Sequence, residues 1–268
     1  MYTIFGSTGF IGKEIIKKLN EKKLKVFKPK KNKTKFSKNL GHIIYCVGSD
    51  DWKKNPKKGY FSNLGHLQEI VYNNNFKSLV FLSTTRLYMN SKKSVTEKNN
   101  ILVKSDNIDN YYNILKVASE SLLLSLNKKI IILRLSNVFG NNFESPLLLP
   151  TLLKNAIQKS QINILINRYS TKDYISIKDV VDLVFKIQKK NNFRIYNIAS
   201  GKNISLKKII DIIKGNTKCK VIYKNQNIKI NEPLINIDRI KKEYNFKPSL
   251  KIETELPKLI LDFKKRLK

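Results

Sequence analysis

The chain has little acid, arginine or cysteine for its length. Its 268 residues include 53 lysines and arginines against 20 acidic residues, which gives a formal net charge of +33 at pH 7. Of the basic residues, 47 are lysine and 6 are arginine. Arginine is the side chain that makes bidentate hydrogen bonds to phosphates and guanine edges, so its scarcity argues against a dedicated nucleic-acid surface. We attribute the lysine to a general compositional bias and expect no nucleic-acid partner, although the charge favours anionic ligands.

Further absences bear on location and on metals. No apolar run reaches the roughly 18 residues that a membrane-spanning helix needs, so we expect no membrane partner. The first predicted strand begins at Tyr2, which leaves no room for a signal segment. Cys46 and Cys219 lie far apart, and together with His42 and His66 they show no metal-ligand spacing. We therefore predict a cytoplasmic protein with reduced thiols and no metal.

A glycine-spaced loop follows the first predicted strand, residues 2–5. The loop consists of Gly6, Ser7, Thr8, Gly9, Phe10, Ile11 and Gly12, and a helical pattern follows it. In that context backbone amides and a helix N-terminus can meet a pyrophosphate, so the loop predicts a dinucleotide site. An acid about 20 positions further on would indicate NAD, but the chain has Lys28, Lys30 and Lys31 there. These lysines favour NADP, or they belong to the overall lysine excess, so we predict NAD(P) with a lean to NADP.

Apolar runs alternate with helical patterns along the first half of the chain. Three of these runs predict strands buried on both faces, at 43–47, 79–82 and 130–135. The alternation predicts an α/β fold with a Rossmann-like doubly wound parallel sheet. A less regular pattern follows and indicates a smaller α/β C-terminal substrate lobe. We predict an NAD(P)-binding domain over 1–140, with 173–198 packing back onto it, and a substrate lobe over 141–268.

Tyr112 and Lys116 lie four residues apart in a predicted helix. Residues at this spacing share one helix face. The positive charge of the lysine favours ionisation of the phenol, whose pKa is otherwise about 10, so Tyr112 is predicted to serve as a general base. Because a dinucleotide loop lies upstream, the pair indicates a nicotinamide-dependent hydride-transfer enzyme.

Several further segments carry a resemblance that extends over almost the whole chain. They are Tyr60 with Asn63, the segment 83–88, the segment 133–140 around Asn137, Lys172-Asp173-Tyr174-Ile175 with Asp179, and the segment 196–201. Together with the loop and the Tyr112–Lys116 pair, their order resembles the extended short-chain dehydrogenases/reductases. Within that group the chain is similar to the NAD-dependent epimerase/dehydratase family, which acts on nucleotide sugars.

This resemblance implies roles for individual residues. It implies that Thr84, Tyr112 and Lys116 are catalytic, with Thr84 bonding the developing carbonyl oxygen. Beyond the glycine loop, it implies cofactor contacts from Lys30, Val47, Asn63, Tyr112 and Lys116. It implies substrate contacts from Thr85, Arg86, Asn137 and Lys172, of which Asn137 and Lys172 hold the nucleotide diphosphate.

The chain also departs from the family pattern. The region before Ile43 is too short for the usual helix and third strand, which alters the adenine pocket. Members that dehydrate at C4–C6 carry an Asp-Glu pair directly after the catalytic threonine, whereas Thr85 and Arg86 stand there, so a 4,6-dehydratase is disfavoured. Lys172 replaces an expected arginine, which keeps the charge but loses the bidentate fork.

The resemblance thus implies an NAD(P)-dependent nucleotide-sugar epimerase or a keto-sugar reductase/dehydrogenase, acting as a homodimer. The sequence does not separate these reactions. The alternative is a catalytically idle NAD(P)-binding protein that acts in RNA binding or regulation.

Overall fold

The computed structural model describes residues 1–48, 52–91, 93–224 and 226–267. Within those residues we find no helix whose length and hydrophobicity would let it cross a bilayer. The chain divides into two compact units. Unit 1 comprises Met1–Ser91, Glu97–Leu135 and Val181–Ile198, and unit 2 comprises Lys92–Thr96, Ser136–Val180 and Ala199–Lys268. The predicted domain boundary at residue 140 stays a prediction.

The secondary structure alternates between strands and helices. The strands are β1 (Tyr2–Phe5), β2 (Val26–Phe27), β3 (His42–Tyr45), β4 (Ser78–Thr84), β5 (Ile130–Leu135), β6 (Asn137–Phe139), β7 (Gln161–Ile164), β8 (Thr171–Ser176), β9 (Ile195–Ile198), β10 (Asn203–Ser205) and β11 (Lys220–Tyr223). The helices are α1 (Phe10–Glu21), α2 (Pro56–Tyr60), α3 (His66–Asn73), α4 (Tyr111–Ser125), α5 (Leu148–Gln158), α6 (Ile177–Lys189), α7 (Leu206–Thr217), α8 (Asp238–Tyr244) and α9 (Ile252–Arg266). A π-helical turn, Phe61–Gly65, joins α2 to α3.

Unit 1 is built on a six-stranded sheet in the order β2-β1-β3-β4-β5-β9. Every neighbouring pair in this sheet is parallel. β3, β4 and β5 are buried almost throughout, which explains their continuous apolar runs. The predicted α/β class with a Rossmann-like parallel sheet is confirmed.

The connection from β2 to β3 is short and forms neither helix nor strand among its described residues. A sheet of this kind usually carries a further strand beyond β2. Here β2 has only two residues and is the outer strand of the sheet. The expectation that this region lacks the usual helix and third strand is therefore confirmed.

Unit 2 contains two small sheets and its own core. One sheet has the order β10-β8-β6, with β8 parallel to β6 and antiparallel to β10, and the other pairs β11 with β7. Helices α5, α7 and α9 pack on one another around buried side chains that include Leu153, Ile209 and Phe263. Ser205 caps α7, because its hydroxyl accepts a hydrogen bond from the Lys208 amide.

Candidate active site

The glycine loop lies at the carboxyl end of β1. Gly6 has a φ of +78°, a backbone conformation that favours glycine. The position also has no room for a side chain. A Cβ at Gly6 would lie 2.8 Å from the backbone of Cys46 and 3.0 Å from the Val47 amide nitrogen. The loop thus packs directly against the residues that follow β3, and Val47 adjoins it.

Gly12 fixes the approach of α1 to this loop. A Cβ there would lie 2.2 Å from the Gly6 carbonyl oxygen, so no side chain fits. The first turn of α1 contains no acidic residue, so no side chain of that turn competes with a bound anion for the N-terminal amides and dipole. A glycine turn that opens the N-terminus of a twelve-residue helix fits the pyrophosphate of a dinucleotide.

Thr84 is the last residue of β4, and its side chain is half-buried. Its hydroxyl oxygen accepts a hydrogen bond from the Arg86 amide, 3.1 Å away, and so caps the 3-10 turn Thr85–Tyr88. A threonine hydroxyl has one proton to donate in addition to its acceptor lone pairs. Accepting this hydrogen bond does not use the O–H, so the hydroxyl can also donate to a ligand.

Tyr112 and Lys116 lie in α4, as the sequence spacing predicted. The Lys116 ammonium nitrogen lies 5.8 Å from the centroid of the Tyr112 ring and 4.8 Å from that of the Phe81 ring. It also donates a hydrogen bond to the Leu82 carbonyl oxygen over 3.4 Å. The lysine is therefore held between β4 and the face of the tyrosine ring.

Lys116 is 3% exposed, which is unusual for a lysine. Burial lowers the pKa of its ammonium group to about 8, while the nearby Glu120 carboxylate acts in the opposite direction. The group is therefore still mostly charged at neutral pH, but less firmly than an exposed lysine.

A buried ion pair lies beneath these residues. The Glu120 carboxylate accepts hydrogen bonds from Arg134, the shortest being 2.6 Å, and from the Ser83 hydroxyl at 2.5 Å. Ser83 directly precedes Thr84, and Glu120 lies one helical turn beyond Lys116. The network therefore ties the end of β4 to α4, and so fixes the elements that carry Thr84 and Lys116. We refer to Ser83, Glu120 and Arg134 as the buried network.

Asn63 and Lys116 border one space beside Gly48. A Cβ built on Gly48 would lie 3.5 Å from the Asn63 side-chain oxygen and 3.8 Å from the Lys116 nitrogen. Asn63 lies in the π-helical turn, a distortion that is frequent at functional sites. Asn63 and Lys116, two of the residues expected to hold the cofactor, therefore lie close together next to the segment that follows β3.

The other predicted contacts of unit 1 differ in exposure. Lys30 is exposed on the connection after β2, and Thr85 is buried whereas Arg86 is exposed. Arg86 donates a hydrogen bond to the Asp109 carbonyl oxygen over 3.4 Å. The roles of these three residues toward a ligand stay predictions.

In unit 2 the predicted substrate residues Asn137 and Lys172 both bind Glu232. Asn137 is the first residue of β6, and Lys172 lies in the neighbouring strand β8. The Lys172 ammonium lies 2.8 Å from one carboxylate oxygen of Glu232. The Asn137 amide donates to the other over 3.0 Å.

The sequence profile of the NAD dependent epimerase/dehydratase family matches residues 2–199 of the chain. The chain belongs to this family. Its members include NAD(P)-dependent epimerases, reductases and dehydratases of nucleotide sugars. The resemblance inferred from the loop, the Tyr112–Lys116 pair and the later motifs is thereby confirmed.

Individual relatives extend over nearly the whole chain. It is 25% identical over 306 aligned residues to dTDP-4-dehydro-6-deoxyglucose reductase of Escherichia coli, which covers 96% of this chain and 95% of the relative. UDP-glucose 4-epimerase from Thermotoga maritima has a TM-score of 0.86 at 17% identity, covering 100% of this chain and 99% of the other. RMD from Pseudomonas aeruginosa, solved with NADPH, has a TM-score of 0.79 at 15% identity, covering 99% of each chain. At these identities the solved structures establish the shared fold.

Sequence reasoning did not anticipate three features of the site. Trp52 packs its ring on that of Tyr112, with centroids 6.3 Å apart and planes at 25°. The buried network and the carboxylate of Glu232 were also missed. Only Glu120 had a local signal, since it lies four residues after Lys116 in the helix; Glu232 is 60 residues from Lys172 and 95 from Asn137.

Proposed function

We propose that the protein is an NAD(P)-dependent reductase of a nucleotide-linked keto sugar, with Thr84, Tyr112 and Lys116 as its catalytic residues. The main support is the position of the buried Lys116 ammonium between β4 and the Tyr112 ring. The same unit also contains the glycine loop, Gly6–Gly12. The whole-length similarity to a nucleotide-sugar reductase favours reduction over epimerisation.

The residues of unit 1 suit a dinucleotide. The amides of the loop Gly6 to Gly12 and the N-terminus of α1 would hold its pyrophosphate. Asn63 and Lys116, which share the space beside Gly48, would hold the nicotinamide ribose side. Lys30 would approach the adenine ribose, where its charge favours the extra phosphate of NADP. When bound, the nicotinamide supplies the hydride that a keto sugar requires.

Tyr112 would give its phenolic proton to the sugar oxygen as negative charge develops there. The Lys116 ammonium stabilises the phenolate that this transfer leaves behind. Thr84 would donate a hydrogen bond, without transferring its proton, to the same sugar oxygen, since accepting from the Arg86 amide leaves its O–H available. In the reverse direction the same groups remove a proton from a sugar hydroxyl.

The substrate-binding residues are part of the same proposal. Asn137 and Lys172 would hold the nucleotide diphosphate, and Thr85 and Arg86 would contact the sugar portion. Because Thr85 and Arg86 stand where a 4,6-dehydratase carries its acid pair, dehydration at C4–C6 is not proposed. An idle cofactor-binding protein would have no need of a buried lysine beside a tyrosine.

The decisive experiment offers the protein 4-keto and ordinary forms of dTDP-, UDP-, GDP- and CDP-sugars with NADH or NADPH. A reductase consumes reduced cofactor in proportion to product, whereas an epimerase yields an isomer without net consumption. Tyr112→Phe is expected to lower turnover by about 10²–10⁴-fold while cofactor binding persists.

Tyr111→Phe is the matched control. It removes the same group from the adjacent residue, whose hydroxyl donates a hydrogen bond to the Pro56 carbonyl oxygen over 3.1 Å. The control should retain turnover. Equal turnover in both variants would remove the role assigned to Tyr112, and tight RNA binding at physiological salt with no turnover would favour the idle alternative.

A further inference from the structure

Glu232 engages both residues proposed to hold the substrate diphosphate. Each of its carboxylate oxygens takes one donor, the Lys172 ammonium at 2.8 Å and the Asn137 amide at 3.0 Å. Two donors from adjacent strands that converge on two oxygens of one anion form an anion-binding geometry. In this structure the anion is the protein's own side chain.

The position of this carboxylate is set by the backbone around it. The Glu232 amide donates to the Thr171 carbonyl oxygen over 3.0 Å, and the Asn203 side chain donates to the Glu232 carbonyl oxygen over 2.6 Å. Thr171 begins β8 and Asn203 begins β10. The amide and the carbonyl of Glu232 are thereby both bonded to residues of the small sheet. These bonds hold the backbone of Glu232 in the position from which its carboxylate reaches Lys172 and Asn137.

The Lys172 and Glu232 side chains are nevertheless partly exposed to solvent. The side chains of Lys172 and Glu232 are 23% and 19% exposed, so another anion can compete for the same donors. The chain has only 20 acidic residues against 53 basic ones, and exposed lysines are plentiful. An acid at this point therefore neutralises a lysine that would otherwise attract anions strongly.

We propose that Glu232 is an internal anion that occupies the diphosphate subsite of the resting protein, and that a nucleoside diphosphate group binds by displacing its carboxylate. The inference rests on the proposed function, in which Asn137 and Lys172 contact that group. Displacement lowers the affinity for every diphosphate alike, so contacts to the base and the sugar contribute more to the choice of substrate.

The test measures the affinity of UDP and dTDP by calorimetry, with NADPH present in excess to occupy the cofactor site. Glu232→Gln keeps the shape of the side chain but removes the competing charge. It is expected to bind UDP or dTDP at least about tenfold more tightly, because a like charge near the phosphates is lost. Uridine and thymidine, which lack phosphate, should bind the variant and the wild type equally.

Glu144→Gln is the control for net charge. Its carboxylate is in the same unit, is 96% exposed and lies 3.8 Å from the Lys154 ammonium. The substitution changes the net charge of the protein by the same amount, so its effect on diphosphate affinity should stay within about twofold.

Lys172→Met tested in both backgrounds separates displacement from a simple charge effect. In the wild type, Lys172 exchanges the Glu232 carboxylate for the diphosphate when the ligand binds. Removal of the lysine should therefore weaken diphosphate binding only a little. In the Glu232→Gln background the lysine is unoccupied, and its loss should weaken binding at least about fivefold more. Additive effects would overturn the proposal.

Two further outcomes also overturn it. Unchanged or weaker diphosphate binding by both Glu232→Gln and Glu232→Ala, each shown to be folded by thermal unfolding, would mean that Glu232 merely supports Lys172. If Tyr112-dependent turnover persists in that case, the internal anion fails and the proposed function stands. If the wild type and both variants bind no nucleoside diphosphate and turn over no nucleotide sugar, both proposals fail.

Discussion

Two carboxylates of this protein make similar bonds in different surroundings. Glu120 pairs with Arg134 in unit 1, where the two side chains are 4% and 5% exposed. Glu232 pairs with Lys172 in unit 2, where the side chains are 19% and 23% exposed. A charged group in a buried ion pair cannot exchange its partner for water without a large loss of stability. In a partly exposed pair this exchange costs little. The Glu120–Arg134 pair is thus a buried structural contact, whereas the Glu232–Lys172 pair is the contact that we propose a ligand replaces.

The difference matches the tasks that we propose for the two regions. Catalytic groups must be held in one geometry, and the buried network ties the strand that ends at Thr84 to the helix that carries Lys116. A subsite that must exchange ligands gains nothing from such rigidity. Its lysine provides a single mobile point charge in place of a planar fork.

The strongest test of this comparison removes one cation from each pair. Arg134→Met leaves Glu120 buried without its partner, and the free energy of unfolding should fall by about 3–5 kcal/mol. Lys172→Met should lower it by about 1 kcal/mol or less. Urea unfolding of both variants measures these values. Equal losses would show that the two pairs do not differ in the way we describe.

Lys116 gives the next largest effect and has a definite pH dependence. Its pKa in the folded protein is about 8 against an ordinary 10.5, so the unfolded chain holds this proton more firmly. The free energy of unfolding should therefore rise as the pH increases from 8 to 10.5. Lys116→Met should be more stable below pH 8 by up to about 3 kcal/mol and should lack this rise.

The same variant should lose turnover, because no ammonium group remains to stabilise the phenolate of Tyr112. Urea unfolding at the two ends of that pH window, together with the sugar assay, checks both effects. A variant less stable than the wild type throughout the window would show that burial of the charge is not the dominant effect at this position.

Two helical glycines offer a smaller but cleaner contrast between the units. Gly12→Ala in α1 places a Cβ 2.2 Å from the Gly6 carbonyl oxygen, so the loop must shift at a cost of about 1–3 kcal/mol. Gly215→Ala in α7 meets no atom within 4 Å and should stabilise the protein by about 0.5–1 kcal/mol. Thermal unfolding and NADPH titration of both variants distinguish them. Unimpaired cofactor binding by the first would contradict the role of the loop.

The sequence allowed prediction of those parts of the fold in which local pattern and burial agree. The apolar runs of β4 and β5 are buried on both faces, so their composition alone identifies them. The three-residue strands β6 and β10 escaped prediction because they are short and only partly buried, and their pairing depends on β8. Short strands of this kind are defined by neighbours distant in sequence.

Within the site, the same distinction applies. Tyr112 and Lys116 were predictable because helical spacing places them on one face. Glu232 was not, because its partners are distant along the chain and no spacing rule links them. The family pattern gave Lys172 a ligand role but contained no information about which internal group would occupy it.

The two-residue strand β2 has a consequence for solubility. It is the outer strand of the large sheet, and the exposed Lys28, Lys30 and Lys31 follow it. Long, flat, apolar sheet edges recruit strands from other molecules, whereas short edges flanked by lysine repel them. The short segment after β2 therefore protects this edge against polymerisation of the protein into aggregates.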